Sequence, residues 1–415
     1  MLSSHNGGAA STTVVPNLAC NLCGSREAAV VGTRSRSGAA LRSVCCVHCG
    51  LVWADPRPVE SRRFYEHDYR VAYKGTFAPR PKHVLRAGRV ALSRWAHVQP
   101  LLQQRARVLD VGSGGGEFAY LLQARGHEVR GVEPNRGYAE FSAAQYGLAV
   151  QRGFIDEVAL PADHFDLVTV WHVLEHTDDP AQVLLRLRAA LRPGGTLVVE
   201  VPNIEATCQS PASTFHEAHV YSFSAATLRR TAEKTGLQVD RLTLSADGGN
   251  LTALLRRPLA PSEAPATLHI AGEHDRIVAL LRGHRPWRHL MTVHPYRRLA
   301  GRLMRALHER WQTRRKLAPR ALLDRLYGKA PAPPQRLPLW PLLLVASAVA
   351  VALEWLMLDR QDAVLTPVQG TLAYVALDAG LVAAVAWVAR DQLATLRRQA
   401  LAVWGLAVVA LPAYC

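Results

Sequence analysis

Three groups of residues in this chain have the types and spacing to do chemistry. The first is a pair of Cys-x-x-Cys-Gly knuckles, CNLCG (20–24) and CVHCG (46–50), with 22 residues between Cys23 and Cys46. Four thiolates suit tetrahedral zinc, and a glycine after each pair permits the tight turn that aims backbone amides at sulfur. Cys20, Cys23, Cys46 and Cys49 are the expected ligands, with Cys45 as a rival to Cys46. The second group is VLDVGSGGGEF (108–118), an apolar run ending in Asp110 and followed by Gly112, Gly114 and Gly116. Glycine lets backbone approach a ligand closely and adopt positive φ. A dinucleotide fingerprint starting at Gly112 needs glycine at 117, where Glu117 stands, so the loop suits a ligand without a pyrophosphate. Glu133, in GVEPN, is the acid that can accept both hydroxyls of a ribose. The third group is WHVLEHTDDP (171–180), with His172, Glu175 and His176 within five residues. On spacing alone it reads as a metal site, an acid/base apparatus or an ordinary strand end.

The bulk properties narrow the setting. The chain has 415 residues, 49% of them hydrophobic and 20% charged, enough for two or three domains with packed cores. Seven cysteines, an odd number, and a first stretch, MLSSHNGGAASTTVV, with neither a charged nor an apolar run argue for metal binding in a reducing cytosol rather than a disulfide framework. The net charge is +16, but it is not spread evenly. Between Arg282 and Lys329 there are fourteen Lys/Arg against Glu309 and Asp324, which leaves the rest of the chain nearly balanced. That distribution argues against nucleic acid as the partner of the ribbon or of the glycine loop.

The elements that must position these groups follow from hydrophobic pattern. Apolar strand-like runs occur at 106–112, 128–134, 165–173, 196–203, 237–244 and 250–257, with helical stretches such as AQVLLRLRAAL (181–191) and SAATLRRTAEKTG (224–236) between most of them. Strands alternating with helices predict a mostly parallel sheet covered on both faces. The last two runs, joined through Asp247-Gly248-Gly249, predict an antiparallel hairpin at the sheet edge. Beyond residue 258 a Pro/Ala linker leads into a basic helical stretch. LPLWPLLLVASAVAVALEWLML (337–358) then has the length and hydropathy of a membrane span, with Glu354 its single charge. A second apolar run, 371–389, contains Asp378, and a third occupies 400–415. Trp340, Trp355, Trp387 and Trp404 lie toward segment ends, where indole suits the interface. The arginine-rich flank before the first run predicts a cytoplasmic start, with loop 359–370 outside and loop 390–399 inside.

VLDVGSGGGEF, GVEPN, FDLVTVWHVLEH and LRPGGTLVVEVPN, in this order, resemble the class I S-adenosylmethionine-dependent methyltransferases over about 83–256. HVYSFSAATLRRTAEKTGL (219–237) is similar to the branch that contains ubiquinone-biosynthesis O-methyltransferases, and the knuckles with GLVWADPRP resemble a zinc-ribbon module fused ahead of such enzymes. The resemblance implies an α/β, doubly wound, mostly parallel seven-stranded Rossmann-like sheet. It further implies that Asp110, Gly112, Gly114 and Gly116 surround the methionine end of S-adenosylmethionine, that Glu133 holds the ribose, that Asp156 lies near the adenine, and that Pro134 and Trp171 also belong to the cofactor site. Trp171 and His172 then fall at the carboxyl end of the fourth strand, where open α/β sheets bind ligands. His176, His219 and His172 become candidates for the base that deprotonates a hydroxyl acceptor. A structural role for HVLEH, and a divalent metal held by Glu175 and the histidines, are the competing readings.

The expected organisation is a disordered 1–18, a zinc-ribbon-like 19–55, a connector at 56–82 and a methyltransferase domain at 83–256. A basic helical juxtamembrane segment at 257–336 and membrane-embedded helices at 337–415 complete it. The expected enzyme sits on the inner (cytoplasmic) membrane with its catalytic part toward the cytoplasm, uses S-adenosylmethionine and structural zinc, and methylates a small or lipid-linked hydroxyl acceptor. The alternatives are C- or N-methylation of a nucleotide sugar and, in a different class, a zinc-ribbon RNA methyltransferase or RNA-binding protein.

Overall fold

The computed structural model describes residues 13–14, 18–57, 79–260, 265–314 and 317–328. The three apolar runs within 337–415 and most of the connector at 56–82 lie outside them. Among the described residues no helix is long and apolar enough to cross a membrane.

Two sheets organise the molecule. The first takes β1 (Thr13–Val14), β2 (Ala28–Arg34), β3 (Ala40–Cys46) and β4 (Val52–Ala54) in that order, all antiparallel, and adds a distant two-residue strand, β10 (Tyr221–Ser222), at the edge of β4. Thr13–Val14, expected to be disordered, instead pairs with Ala28 and Ala29. The second sheet contains β5 (Arg107–Val111), β6 (Glu128–Glu133), β7 (Ala149–Arg152), β8 (Phe165–Trp171), β9 (Leu191–Pro202), β11 (Gln238–Leu244) and β12 (Asn250–Arg256). Its order is β11-β12-β9-β8-β5-β6-β7, parallel from β9 to β7, with β12 antiparallel to both neighbours. The strand order reverses between β5 and β8, and that switch point opens a crevice at the carboxyl ends of the strands.

Six of these seven strands coincide with the apolar runs. The seventh, β7, reads AVQR and is mostly exposed at the sheet edge, so it lacks the apolar signal of a buried strand. The hairpin β11–β12 forms as the pattern predicts, closed through Ser245–Gly249.

Helices cover both faces. α1 (Pro81–Val98) starts with Pro81, whose missing N–H costs nothing at a helix start, and buries Val84, Leu85, Gly88, Ala91 and Val98 along one stripe. α2 (Glu117–Ala124) and α3 (Arg136–Tyr146) follow β5 and β6, and α4 (Pro180–Ala190) follows β8. The Asp179 carboxylate caps α4 by accepting the Gln182 N–H at 2.9 Å. α5 (Ala225–Lys234) begins in a reciprocal Ser224–Thr227 capping box.

The segment expected to be a juxtamembrane arm returns to this body at both ends. α6 (Glu273–Gly283) lays Ile277 and Val278 against Cys45, Val52 and Ile204. α7 (Pro286–Leu290) and α8 (His294–Gln312) follow, and α9 (Pro319–Leu326) packs Leu322, Leu323 and the adjoining Tyr327 into the cluster with Val84 and Leu85. A Cβ on Gly88 would stand 2.6 Å from Leu323 Cδ2, so this close crossing requires glycine. Tyr120 donates to Asp324 at 2.5 Å, and the Tyr327 hydroxyl donates to the Glu117 carbonyl at 2.8 Å.

Leu323→Ala leaves a cavity under α1 and is expected to destabilise the body by about 2–5 kcal/mol. Leu299→Ala, at a position 70% exposed, is expected to change stability by less than about 0.5 kcal/mol. Urea unfolding of the full chain in mild detergent checks the contrast; equal effects would remove α9 from the core.

Candidate active site and cysteine cluster

The crevice at the switch point is a cavity of about 720 Å³. Its floor is the turn after β5. Gly112 has φ +69°, and a Cβ there would lie 2.4 Å from Val173 Cγ2, so the loop following β8 can close on this turn only over glycine. The Gly112 and Ser113 amides both donate to the Val132 carbonyl, at 2.8 and 3.0 Å. Glu133, 4% exposed at the end of β6, accepts the Gly114 N–H at 2.8 Å and the Asn135 N–H at 3.0 Å. One carboxylate thus fixes two loops, and each oxygen keeps a lone pair for a hydroxyl ligand.

Gly112, Gly114, Glu133, Pro134, Asp156 and Trp171 all line the cavity, as do His172 and His176. Asp110, Gly116 and His219 do not, against expectation. Asp110 lies beneath the wall, takes a 2.8 Å bond from the Thr169 hydroxyl, and is pushed up to about 6 by burial. Gly116 faces α3, where its missing Cβ leaves room for Ser142 and Leu148.

At the other end of the cavity the three histidines of the sequence reading separate by environment. His172 adopts a left-handed conformation, φ +56°, which is uncommon for a residue with a β-carbon. Its Nδ1 lies 3.3 Å from Glu175 Oε1 and its Nε2 3.1 Å from Glu200 Oε1. Burial disfavours the charged ring, but the two carboxylates outweigh it and lift His172 to about 9. Paired with a carboxylate at each ring nitrogen, His172 is placed to hold a proton rather than to take one from a ligand. His219 is shifted in the opposite direction. Burial, with the neighbouring His176, pushes it down to about 3. Its ring packs parallel to His216 at 4.6 Å and edge-on to His176 at 4.8 Å, behind the cavity wall.

His176 is the remaining histidine. Its Nδ1 is 2.6 Å from the Ala218 carbonyl, so that nitrogen carries the hydrogen, and Nε2 lies 3.7 Å from Glu175 Oε1. Glu175 is 1% exposed and is held near 2: burial would raise it, but the neighbouring His176 and the hydrogen bond from His172 prevail. Its Oε2 is buried without a hydrogen-bond partner. The donor atoms of Glu175, His176 and His219 lie within 4.8 Å of one another, a spacing that could also gather around a cation.

Arg94 was not legible in the sequence. It lies on α1, its guanidinium stacks on the Trp171 ring at 4.8 Å, and its Nε is buried without a hydrogen-bond partner. Burial pushes it down, while Asp110, Glu200 and Glu117 pull the other way. Its only signal is that His83, Ala87, Val90 and Arg94, all on the cavity wall, recur at helical spacing.

The knuckles meet as the spacing requires. Cys20 and Cys49 sulfurs are 3.5 Å apart, as are those of Cys23 and Cys46, and all four donor atoms lie within 4.8 Å of one another. Tetrahedral zinc thiolates at about 2.3 Å from the metal separate sulfurs by about 3.8 Å, so the four residues fit zinc with little movement. Cys45 points to the other face of β3, among Val52, Ile204 and Ile277, and burial pushes it up to about 12. The choice between Cys45 and Cys46 therefore falls to Cys46.

The ribbon also frames the cavity. Asn21, between Cys20 and Cys23, donates to Asp179 at 2.8 Å and accepts the Ala181 N–H at 3.2 Å. β10, which follows His219 directly, pairs with β4, and the Val220 N–H donates to the Glu175 carbonyl at 2.8 Å.

Residues 83–242 match a family model described as a methyltransferase domain. Among curated proteins, the ubiquinone biosynthesis O-methyltransferase of Aeromonas salmonicida is 32% identical over 103 residues, covering 23% of this chain and 43% of the relative. That of Hahella chejuensis is 37% identical over 105 residues, with 23% and 43% covered. The chain thus spans less than half the length of these relatives. Among solved structures, an S-adenosylmethionine-dependent methyltransferase from Mesorhizobium loti is 16% identical, with 40% of this chain and 98% of that one covered and a TM-score of 0.35. The matched segment is a class I S-adenosylmethionine-dependent methyltransferase domain with a mostly parallel seven-stranded sheet.

Two measurements follow from this geometry. Metal analysis of the purified full chain is expected to give one zinc, lost in Cys23→Ser with Cys46→Ser and retained in Cys45→Ser; zinc loss in Cys45→Ser would reverse the ligand assignment. The His172 clamp predicts a pH dependence. A group raised from about 6.5 to about 9 on folding stabilises fully below about pH 6.5, and that contribution is lost as pH rises through about 9. Urea midpoints are therefore expected to fall between pH 6.5 and 9.5 more steeply in the wild type than in His172→Gln. Identical slopes would remove the clamp.

Proposed function

We propose that the protein is an S-adenosylmethionine-dependent O-methyltransferase acting on a hydroxyl of a small or lipid-linked acceptor. The observation that carries the reading is a cavity with a ribose-accepting carboxylate, Glu133, at one end and a histidine, His176, whose Nδ1 is held by the Ala218 carbonyl, at the other. S-adenosylmethionine supplies an electrophilic methyl group on a sulfonium centre. Glu133 takes the ribose hydroxyls while Gly112 and Gly114 leave room for the ligand against the floor. Arg94, whose Nε has no hydrogen-bond partner, offers a cation to a ligand carboxylate in a buried setting. Asp156, with Phe154 and Ile155, lines the wall where a base would lie.

The proton step falls to His176. The Ala218 carbonyl fixes hydrogen on Nδ1, so Nε2, which faces Glu175 Oε1 at 3.7 Å, is the nitrogen that takes the acceptor's proton. Glu175, ionised beside it, stabilises the imidazolium that results. His172 bridges Glu175 and Glu200, one ring nitrogen to each carboxylate.

Structural zinc in the four-cysteine cluster would hold the ribbon in the shape that lets Asn21 and β4 support this wall. The apolar runs at 337–358 and 371–389, preceded by an arginine-rich flank, support attachment to the inner (cytoplasmic) membrane with the catalytic body on the cytoplasmic side, within reach of lipid-linked acceptors.

Membrane and polysaccharide extracts incubated with the protein and methyl-labelled S-adenosylmethionine are expected to yield a labelled product about 14 Da heavier than its precursor, as one methyl replaces one hydrogen. His176→Ala is expected to lower turnover about 10²–10⁴-fold with S-adenosylhomocysteine affinity retained. Wild-type turnover in His176→Ala would place the base elsewhere, and label on carbon or nitrogen would overturn the O-methyl assignment.

A further inference from the structure

The stretch from Arg282 to Arg314 holds nine arginines and one acid, Glu309. That acid is turned inward. Its carboxylate is 5% exposed as a residue and accepts two bonds from Arg86 of α1, at 2.9 and 2.7 Å, while Gln312 accepts from Arg89 at 2.8 Å. α8 is therefore fixed by its C-terminal end to the helix that lines the cavity, and its outer surface carries cations without acids.

Every residue from Tyr296 to Arg302 is exposed, a condition in which a helix of ordinary composition gains nothing from packing. Yet seven of the eleven large apolar side chains exposed among the described residues lie between Trp287 and Met304. Singly exposed apolar residues need no explanation; a cluster on one arm does.

We propose that the arm α7–α8 lies on the surface of an anionic lipid bilayer, with Trp287, Leu290, Met291, Tyr296 and Leu299 entering the headgroup region and the interspersed arginines meeting lipid phosphates. Exposed apolar side chains among arginines are the composition of an interfacial helix, which combines apolar burial with attraction to anionic lipid. Nucleic acid would use the arginines but leave Leu290, Met291 and Leu299 in water. A second copy would bring the same cationic face against this one. The chain's own residues 332–415 hold five acids and five arginines, scattered, with no acidic run to match the arm. The contact concerns the arm rather than the apolar runs, and it stands independently of methyl transfer because its test reads protection, not turnover.

The test is hydrogen–deuterium exchange on the full chain in nanodiscs of phosphatidylcholine alone or mixed with phosphatidylglycerol, and in detergent. Amides of 287–306 are expected to exchange about tenfold more slowly in the anionic discs. High salt, or Arg297→Glu with Arg298→Glu, should abolish the difference, while exchange in β5 and β8 stays unchanged and certifies the fold. Equal exchange in both kinds of disc overturns the proposal. So does equal protection in detergent, which would mean that the arm is covered by the chain itself or by a second copy. Protection in detergent on adding RNA, with none from anionic lipid, would overturn it in favour of nucleic acid; should the double variant misfold, reversal by salt in the wild type decides.

Discussion

A buried carboxylate, Glu175, is the group on which the acceptor end of the cavity depends. It is ionised inside the protein, a state that costs several kcal/mol unless cations surround it. His172 meets that need from one side, and the position of His176 places a second imidazole on the other. His172 adopts a left-handed conformation at the end of β8, and in it the ring lies between Glu175 and Glu200. Such strain persists where the surroundings over-determine it, and here two carboxylates do so. The same constraint reaches the ribbon, because the Glu175 carbonyl accepts the Val220 N–H just before β10 joins β4.

The ribbon is therefore part of the wall and not an independent module strung ahead of it. Its knuckle holds Asp179, its edge strand holds the His216–His219 loop, and α6 closes its far face. A metal held by the four clustered cysteines would brace a small sheet with little apolar core of its own, next to Asp179. On the opposite flank α9 returns to cover α1, so the helix carrying Arg94 is gripped from both sides.

The cavity floor was legible in the sequence because its residues are local. Gly112, Gly114 and Glu133 sit on two successive βα units, and the acid-to-glycine contact needs only that neighbouring parallel strands pair, whereas Asp110 and Gly116 of the same motif lie off the cavity. The four-cysteine cluster was legible for a similar reason, although the membership of Cys46 rather than Cys45 required knowing which face of β3 turns inward. The histidines were legible as a group and not as individuals. Their charge states depend on Glu200 from the next strand and on burial by a loop more than forty residues away, neither of which spacing reveals. Arg94 was hidden because an arginine on an amphipathic helix reads as solvated, and its burial against Trp171 is a tertiary event. The return of α9 was hidden too, since eight residues of helix carry too little pattern to announce a partner 230 positions earlier in the chain.

The central claim is that the crevice between β5 and β8 is a nucleoside site held by Glu133. Calorimetric titration of the full chain with S-adenosylhomocysteine, for the wild type and for Glu133→Ala, tests it most directly. The account predicts saturable one-to-one binding to the wild type and a loss of about 10- to 100-fold in the variant, since hydrogen bonds to a charged buried acceptor are removed. Unchanged affinity in Glu133→Ala, or no binding to a folded wild-type chain, would contradict it.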